Sequence, residues 1–463
     1  MTAPAAKATW ADLIAEGRGA RLALITLGVW LNAADALVTS TIMPTVAREL
    51  GGYAFFSWAT AAYMVGAIFS GATAATLTGR FGLRSVMVGA GLATAFGCVV
   101  SAAASDMIVL VLGRALQGLG AGWILGACYV AIGTLFPERH LARVFGVITS
   151  VWGVATVLGP LIGGLFADRG AWRALFWAFA VQSLAFAAAV PALSPAARGP
   201  RAKGAPWRQL ALVILGVGLI GAADLTAHPG AAAALGLASF AVFVLAARTP
   251  QPEGGLFPRD AGRPTTLIGA AYLSFFALTA ASMGFAVYAP ALLQKLYGLS
   301  PLASGYAAGL ESVGWTAAAL AVTGLGERWH GLAIRLGAAS IVGAVAALAL
   351  VMRDGPLAGI FLAALVMGAG FGLSTSFTSR RVIAAAAGER ELASAGINSA
   401  RLVGNSAGAC LAGLIANLFG VAAGLSPVAA RTTAVWLFVA AVPVAIAGAL
   451  GAWRVGARDV RES

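Results

Sequence analysis

Residues 113–122 read GRALQGLGAG, inside an apolar run that extends from about Met107 to Phe136. Arg114 therefore places a guanidinium within a membrane span. A charge near the hydrocarbon core is costly unless it is paired or faces a watery cavity, which makes it a functional candidate by default. Gly118, Gly120 and Gly122 lower helix propensity and are poor choices unless another backbone approaches closely. Arg114 needs a partner, and the rest of the chain must supply it.

Composition supports the membrane reading. The chain has 463 residues, 60% hydrophobic and only 10% charged, against roughly 45–50% and 25% in a soluble domain. This is an all-α polytopic membrane protein. The net charge of +13 is spread singly between apolar runs, without a basic tract or aromatic-interleaved patch, so it points to orientation in a bilayer and not to nucleic acid. Cys98, Cys128 and Cys410 lie within apolar spans and read as buried structural thiols. His140, His228 and His330 fall in predicted loops, widely separated. With no metal-ligand spacing and no nucleophile elbow near them, neither an enzyme nor a bound metal or cofactor is expected.

Apolar runs long enough to cross about 30 Å of hydrocarbon as helices fall near 21–44, 55–78, 84–105, 107–136, 143–167 and 173–192. A polar linker from Ser194 to Arg208 follows, with Pro195, Pro200 and Pro206. Two spans near 209–227 and 231–247 precede a second linker, Arg248 to Arg263, with Pro250, Pro252 and Pro258. Six more fall near 265–290, 301–325, 332–352, 356–378, 393–420 and 431–453. The layout is fourteen spans, grouped six, two and six. The first twenty residues carry Lys7, Asp12, Glu16 and Arg18 without a cleavable signal pattern, so the N-terminus is expected inside. On that layout 22 of the 30 Lys and Arg residues fall inside, six outside (Arg48, Arg169, Arg173, Lys295, Arg353 and Arg431) and two within spans, Arg114 and Arg401. The bias follows the positive-inside rule and favours both termini in the cytoplasm.

The acids within spans are read as Asp35 and Glu311. Asp35 is on the order of 12 Å below the outer end of the first span, taken to end near Met43 and Pro44, and Arg114 about 10 Å below the same surface. Their depths match. Pairing would relieve both charges, and the opposed effects of desolvation and a nearby cation let a carboxylate gain or lose a proton as its surroundings change. A static pair bracing two helices is the competing reading. Glu311 lies about 15 Å into the tenth span with no basic residue in that span; it reads as a proton-titrating group or as a contact for cationic substrates. Arg401 is either an inward-snorkelling anchor or a cavity residue.

The segment DALVTSTIMP, from Asp35 to Pro44, resembles the first-helix signature of fourteen-helix drug:proton antiporters of the major facilitator superfamily, an Asp followed nine positions later by Pro. Arg114, Gln117, Gly118, Gly120 and Gly122 match that branch's fourth-helix signature in register. Gly146, Gly159, Pro160, Gly163 and Gly164 resemble its fifth-helix antiporter signature, with Ala155 where the second Gly stands. Between the second and third spans, ATLTGRFGLR resembles the superfamily loop signature: Arg80, Gly82 and Arg84 are kept, while Ala75 replaces Gly and Gly79 replaces the Asp of a charge-relay latch. A fainter echo stands at Glu327 and Arg328, with His330 in the Gly position. The sixth-helix Asn-x-Pro pattern is absent, with Phe179 and Val181 there.

The resemblance implies two six-helix bundles plus two extra helices: residues 1–193, a linker unit 194–263 with the extra pair, and 264–463 with a cytoplasmic tail. It implies a monomer, multi-pass in the cytoplasmic or inner membrane, whose partners are a small-molecule substrate, protons and the lipid bilayer. Asp35, Arg114 and Glu311 are the candidates for proton coupling. Trp123, Gln117, Tyr63, Tyr288 and Arg401 are the candidates to line the substrate cavity, with stacking and cation–π contacts suited to flat hydrophobic cations. Arg80, Gly82, Arg84, Gly159, Pro160, Gly163 and Gly164 are the conformational motifs. The expected activity is proton-coupled efflux of small hydrophobic or cationic compounds by alternating access. The alternative is a proton-coupled metabolite exporter or symporter of narrow substrate on the same fold.

Overall fold

A computed structural model describes residues 12–13, 17–194, 197, 204–226, 228–249, 255–386 and 388–457. Lys7, Glu16, Pro195, Pro200, Pro250, Pro252 and the tail from 458 lie outside the described residues. Fourteen long helices follow one another: α1 (Arg18–Leu50), α2 (Trp58–Phe81), α3 (Leu83–Ala102), α4 (Met107–Leu135), α5 (Glu138–Asp168), α6 (Trp172–Leu193), α7 (Trp207–Asp224), α8 (Pro229–Arg248), α9 (Leu267–Tyr297), α10 (Pro301–Ala321), α11 (His330–Val351), α12 (Leu357–Ala385), α13 (Arg390–Leu418) and α14 (Pro427–Ala457). Twelve of them are long and apolar enough to cross a membrane. The two that fall short are α10, which carries Glu311, and α13, which carries Arg390, Glu391 and Arg401.

Three sequence expectations are corrected. α1 continues through Pro44 to Leu50, about two turns beyond the expected exit, because neighbouring helices at membrane depth tolerate a proline inside a helix. α5 begins at Glu138, so His140 is helical and buried instead of in a loop. His330 opens α11, stacking on Phe377 with ring centroids 4.2 Å apart.

Glycines set the packing. A Cβ at Gly118 would strike the Tyr63 carbonyl of α2, one at Gly122 the Ala67 carbonyl and Ser70, and one at Gly120 the Thr94 side chain and Ala90 carbonyl of α3. α12 repeats the device: Gly368 meets the Glu311 carbonyl and Gly372 the Trp315 carbonyl of α10, while Gly370 meets the Gly337 carbonyl and Ile341 of α11. The two G-x-G-x-G runs thus wedge α4 between α2 and α3, and α12 between α10 and α11. Arg80 follows Tyr63, and Arg328 follows Glu311, by the same seventeen residues. The halves share one register, as expected of a transporter built from repeats.

α1 starts and α14 ends at one end of the molecule, here the terminal end; the halves touch at the opposite, far end. A Cβ at Gly159 would lie 2.7 Å from Leu37 Cβ, one at Gly163 3.0 Å from Thr41 Cβ, and one at Gly164 2.6 Å from Leu302 Cα. Gly305 of α10 in turn lies against Thr41 and Pro160. α5 is therefore pressed onto α1 and α10 along its far half. At Gly146, in its terminal half, and at Gly153, at its middle, a Cβ would meet nothing within 4 Å among the described residues. Across the other seam Ser406 Oγ donates to the Ala61 carbonyl at 3.3 Å and Asn417 Nδ2 to the Ala54 carbonyl at 3.0 Å. Along α5 the packing is closed at the far end and loosens toward the terminal end.

The loop motif is a mechanical tie. Gly82 ends α2 at φ 85°, ψ 153°, a region essentially restricted to glycine. Arg84 Nε and Nη2 donate to the Ser194 carbonyl at 3.1 and 2.8 Å, at the C-terminus of α6, where a cation is favoured by the helix dipole. Arg80 is exposed over the Phe81 ring. Asp106 caps α4, accepting from the Val109 and Ile108 amides at 3.0 and 2.9 Å, bonds that hold its carboxyl below the usual range. Gly82→Ala is expected to cost about 1–3 kcal/mol and to melt earlier in detergent than the wild type. Gly89→Ala, a helical position with open space, is expected to melt at or above the wild type.

Candidate functional site

Arg114 is held by groups of α1, α2 and its own α4, with α3 behind them. Its Nη1 donates to Asp35 Oδ1 and Oδ2 of α1 at 2.8 and 2.7 Å and to Gln117 Oε1, one turn along α4, at 2.5 Å. Its Nε donates to the Ala59 carbonyl of α2 at 3.3 Å. The guanidinium carbon sits 4.4 Å from the centroid of the Tyr63 ring, a cation–π contact in a dry setting. Gln117 is fixed in turn, donating to Ser101 Oγ at 2.7 Å and to the Gly97 carbonyl at 3.1 Å on α3. Gly97 and Gly113 allow this, since a Cβ at either would strike the facing helix. Arg114 is 2% and Asp35 6% exposed. The buried charges are matched to each other, and Nε and Nη1 also meet neutral acceptors, which helps offset the burial of the pair.

Asp35 borders a small cavity that Asn32, Tyr63, Cys98, Gln117 and Ser183 line with it. The Tyr63 hydroxyl and Ser183 Oγ are buried there without a hydrogen-bond partner among the described residues. Buried hydroxyls left unpaired beside a carboxylate are suited to hold water.

In the second half the geometry differs. Glu311 is half-buried and has no hydrogen bond or ion pair among the described residues. One turn further along α10, the Trp315 ring stacks on Phe371 at 5.0 Å and carries the Arg401 guanidinium 4.7 Å from its centroid. Arg401 lines a second cavity with Ser274, Thr279, Ser374 and Thr378. The shared register explains the unpaired acid. Glu311 is the counterpart of Tyr63, and the counterpart of Arg114 is Ala364.

Of the remaining cavity candidates, Trp123 Nε1 donates to Thr73 Oγ1 at 3.0 Å between α4 and α2. Tyr288 is 1% exposed and lies 5.0 Å from the Phe56 ring in the far-end seam. Neither is among the residues lining the Asp35 cavity. The reading of two acids within spans is corrected: Asp224, the last residue of α7, is 2% exposed and accepts from Asn417 Nδ2 at 2.7 Å and Ser57 Oγ at 3.0 Å. It falls inside the expected 209–227 span, three residues from its end, and is not among the acids counted there; the glycine at 221, packed on Trp58, is the signal that this turn is buried.

Two helical bundles around paired intramembrane charges, packed against each other along α1, α5 and α10 at one end, define a membrane transporter. The chain belongs to the Major Facilitator Superfamily, whose profile matches residues 25–388. It is 31% identical over 483 aligned positions to a probable multidrug-efflux transporter of Mycobacterium tuberculosis, covering 98% of both chains. It is 29% identical to multidrug resistance protein 3 of Bacillus subtilis over 153 positions, 33% of this chain and 30% of that one. Among solved structures, a bacterial homologue of the human lysosomal transporter Spinster, inward-facing and unoccupied, matches with TM-score 0.68 at 13% identity over 96% of this chain and 97% of that one. A D-xylose–proton symporter matches with TM-score 0.64 at 17% identity over 94% and 97%.

Proposed function

We propose that the protein is a fourteen-span, proton-coupled exporter of small hydrophobic or cationic compounds, of the drug:proton antiporter branch. The observation that carries this reading is the Asp35–Arg114 pair: an ionisable carboxylate, buried beside a cavity, held by a cation on another helix. The resemblance of the first, fourth and fifth helices to antiporter signatures supports the direction, and the name of the M. tuberculosis relative supports the substrate class. The charge bias supports cytoplasmic termini in the inner membrane. On that orientation the far end, where α5 packs on α1 and α10, faces outward. Residues 1–193 and 264–463 rock as two bundles, with 194–263 carrying the extra pair, and the transporter acts as a monomer.

In the cycle, Asp35 takes a proton from outside, substrate leaves, the protein turns inward, and proton release is coupled to substrate capture. Arg114 is the cation that holds the Asp35 carboxylate once its proton has left. Glu311 supplies the negative charge a cationic substrate meets. The test is efflux of a lipophilic cationic dye from energised cells lacking their own pumps. Wild type is expected to lower dye retention and an uncoupler to restore it. Efflux that survives the uncoupler would sink proton coupling, and a wild type that moves no dye would sink the broad-substrate reading.

A further inference from the structure

Asp224 is used by nothing in that cycle, and its position is unusual. It belongs to the extra helix pair, yet it accepts from Ser57, at the start of α2 in the first half, and from Asn417, on α13 in the second. One carboxylate therefore holds the two halves and the extra pair together at the far end. The surroundings are built for it. Gly413 of α13 leaves the space, since a Cβ there would lie 2.5 Å from Asp224 Oδ2 and still closer to Ser57 Oγ. Gly221 lets the Trp58 indole lie flat one turn before it.

The site holds an acid but no cation. Both donors to Asp224 are neutral, and no Lys or Arg forms an ion pair with it among the described residues. The titratable groups turned toward it are Tyr288 of α9 and Cys410 of α13, which are uncharged in their usual state at pH 7. From α2 come only Ser57 and the Trp58 indole, and from α8 the apolar Ala232 packs against neighbouring Ala223. Asn417 Oδ1 of this group is buried without a partner among the described residues. A carboxylate can be hydrated when the seam opens, but closing the seam over it without a counter-cation carries a large desolvation cost.

We infer that Asp224 is a second proton-binding residue, loaded from the far side while the seam is open, and that its protonation permits the far-end gate to close. The inference rests on the proton-coupled reading above and adds a role for the extra helix pair, which reports the proton to the gate. It also fits the order of the cycle. The gate on the loading side shuts only after a proton has arrived.

The experiment measures the gate directly, by electron-spin distance between labels at Asp168→Cys and Lys295→Cys. These positions are exposed at the far ends of α5 and α9. Cys98, Cys128 and Cys410 are buried, and the chain without the two introduced cysteines serves as the labelling blank. In the wild-type background the short-distance population is expected to rise as pH falls, by up to about tenfold in the equilibrium constant per pH unit for one proton. In Asp224→Asn the distance is expected to stay short at every pH, and in Asp35→Asn the response is expected to persist. A wild type insensitive to pH, or an Asp224→Asn variant that keeps the wild-type response, overturns the inference. Should Asp224→Asn not fold, Asn417→Ala is expected to lengthen the distance at every pH, and an unchanged distance there overturns it equally. Dye efflux that ignores the uncoupler while the gate follows pH would fail the exporter reading alone.

Discussion

Arg114→Ala is expected to abolish efflux and to destabilise the protein by roughly 3–5 kcal/mol, the cost of leaving a buried charge without its partner. Among the described residues Asp35 accepts from no group but Arg114, so its carboxylate would be stranded at 6% exposure. Asp35→Asn is milder for the fold, because the new amide oxygen still accepts from Nη1. Arg114 also keeps the Ala59 carbonyl, Gln117 Oε1 and the Tyr63 ring face. That variant is expected to fold, bind dye and fail to pump it. The double variant Asp35→Asn with Arg114→Ala separates the two readings of the pair. It leaves no buried charge, so its melting temperature is expected to recover most of what Arg114→Ala loses, a coupling read from the double-mutant cycle. Efflux is expected to stay abolished, because the carboxylate at position 35 that couples proton release to substrate capture is gone. A double variant that melts and pumps like the wild type would show the pair to be a brace.

The depth arithmetic that set Asp35 against Arg114 needed only span boundaries and an antiparallel arrangement, and the pair forms although α1 runs about two turns past Pro44. Depth is robust because it counts residues from a charge to a nearby surface. The same arithmetic is blind to rotation about the helix axis. Tyr288 and Trp123 were therefore legible as residues within spans, but not as residues of a seam and of a tether to Thr73. Asp224 was lost differently, for a residue at the end of a span is solvated or buried according to what covers it. Here Ser57 and Asn417 cover it, from positions 167 and 193 residues away. The repeat could have been read. G-x-G-x-G occurs at 118–122 and again at 368–372, and the loop after each partner helix begins at the same spacing. What hid it is that the second copy lacks the arginine that draws the eye to the first.

That missing arginine gives the last prediction its size. Glu311 stands where Tyr63 stands in the first half, but with Ala364 opposite it in place of a guanidinium, so its charge is left for something outside the protein to meet. A cation about 4 Å from it would gain on the order of 4 kcal/mol at an effective dielectric constant of about 20, less what both groups lose in desolvation. Glu311→Gln keeps size and hydrogen bonding while removing that charge. Efflux of a lipophilic cation is expected to fall by roughly tenfold or more, as a residual 1.4 kcal/mol is worth a factor of ten, while efflux of an uncharged substrate stays within about twofold. Arg401, 4.7 Å from the Trp315 ring one turn away, raises the local potential and repels the same cation, so Arg401→Ala is expected to change cation efflux in the opposite direction. The comparison must be made on charged and uncharged substrates side by side. If Glu311→Gln lowers both equally, the acid carries protons for the cycle and does not select the cargo. If it lowers neither, the carboxyl is spent within the protein and the second half contributes no charge to recognition.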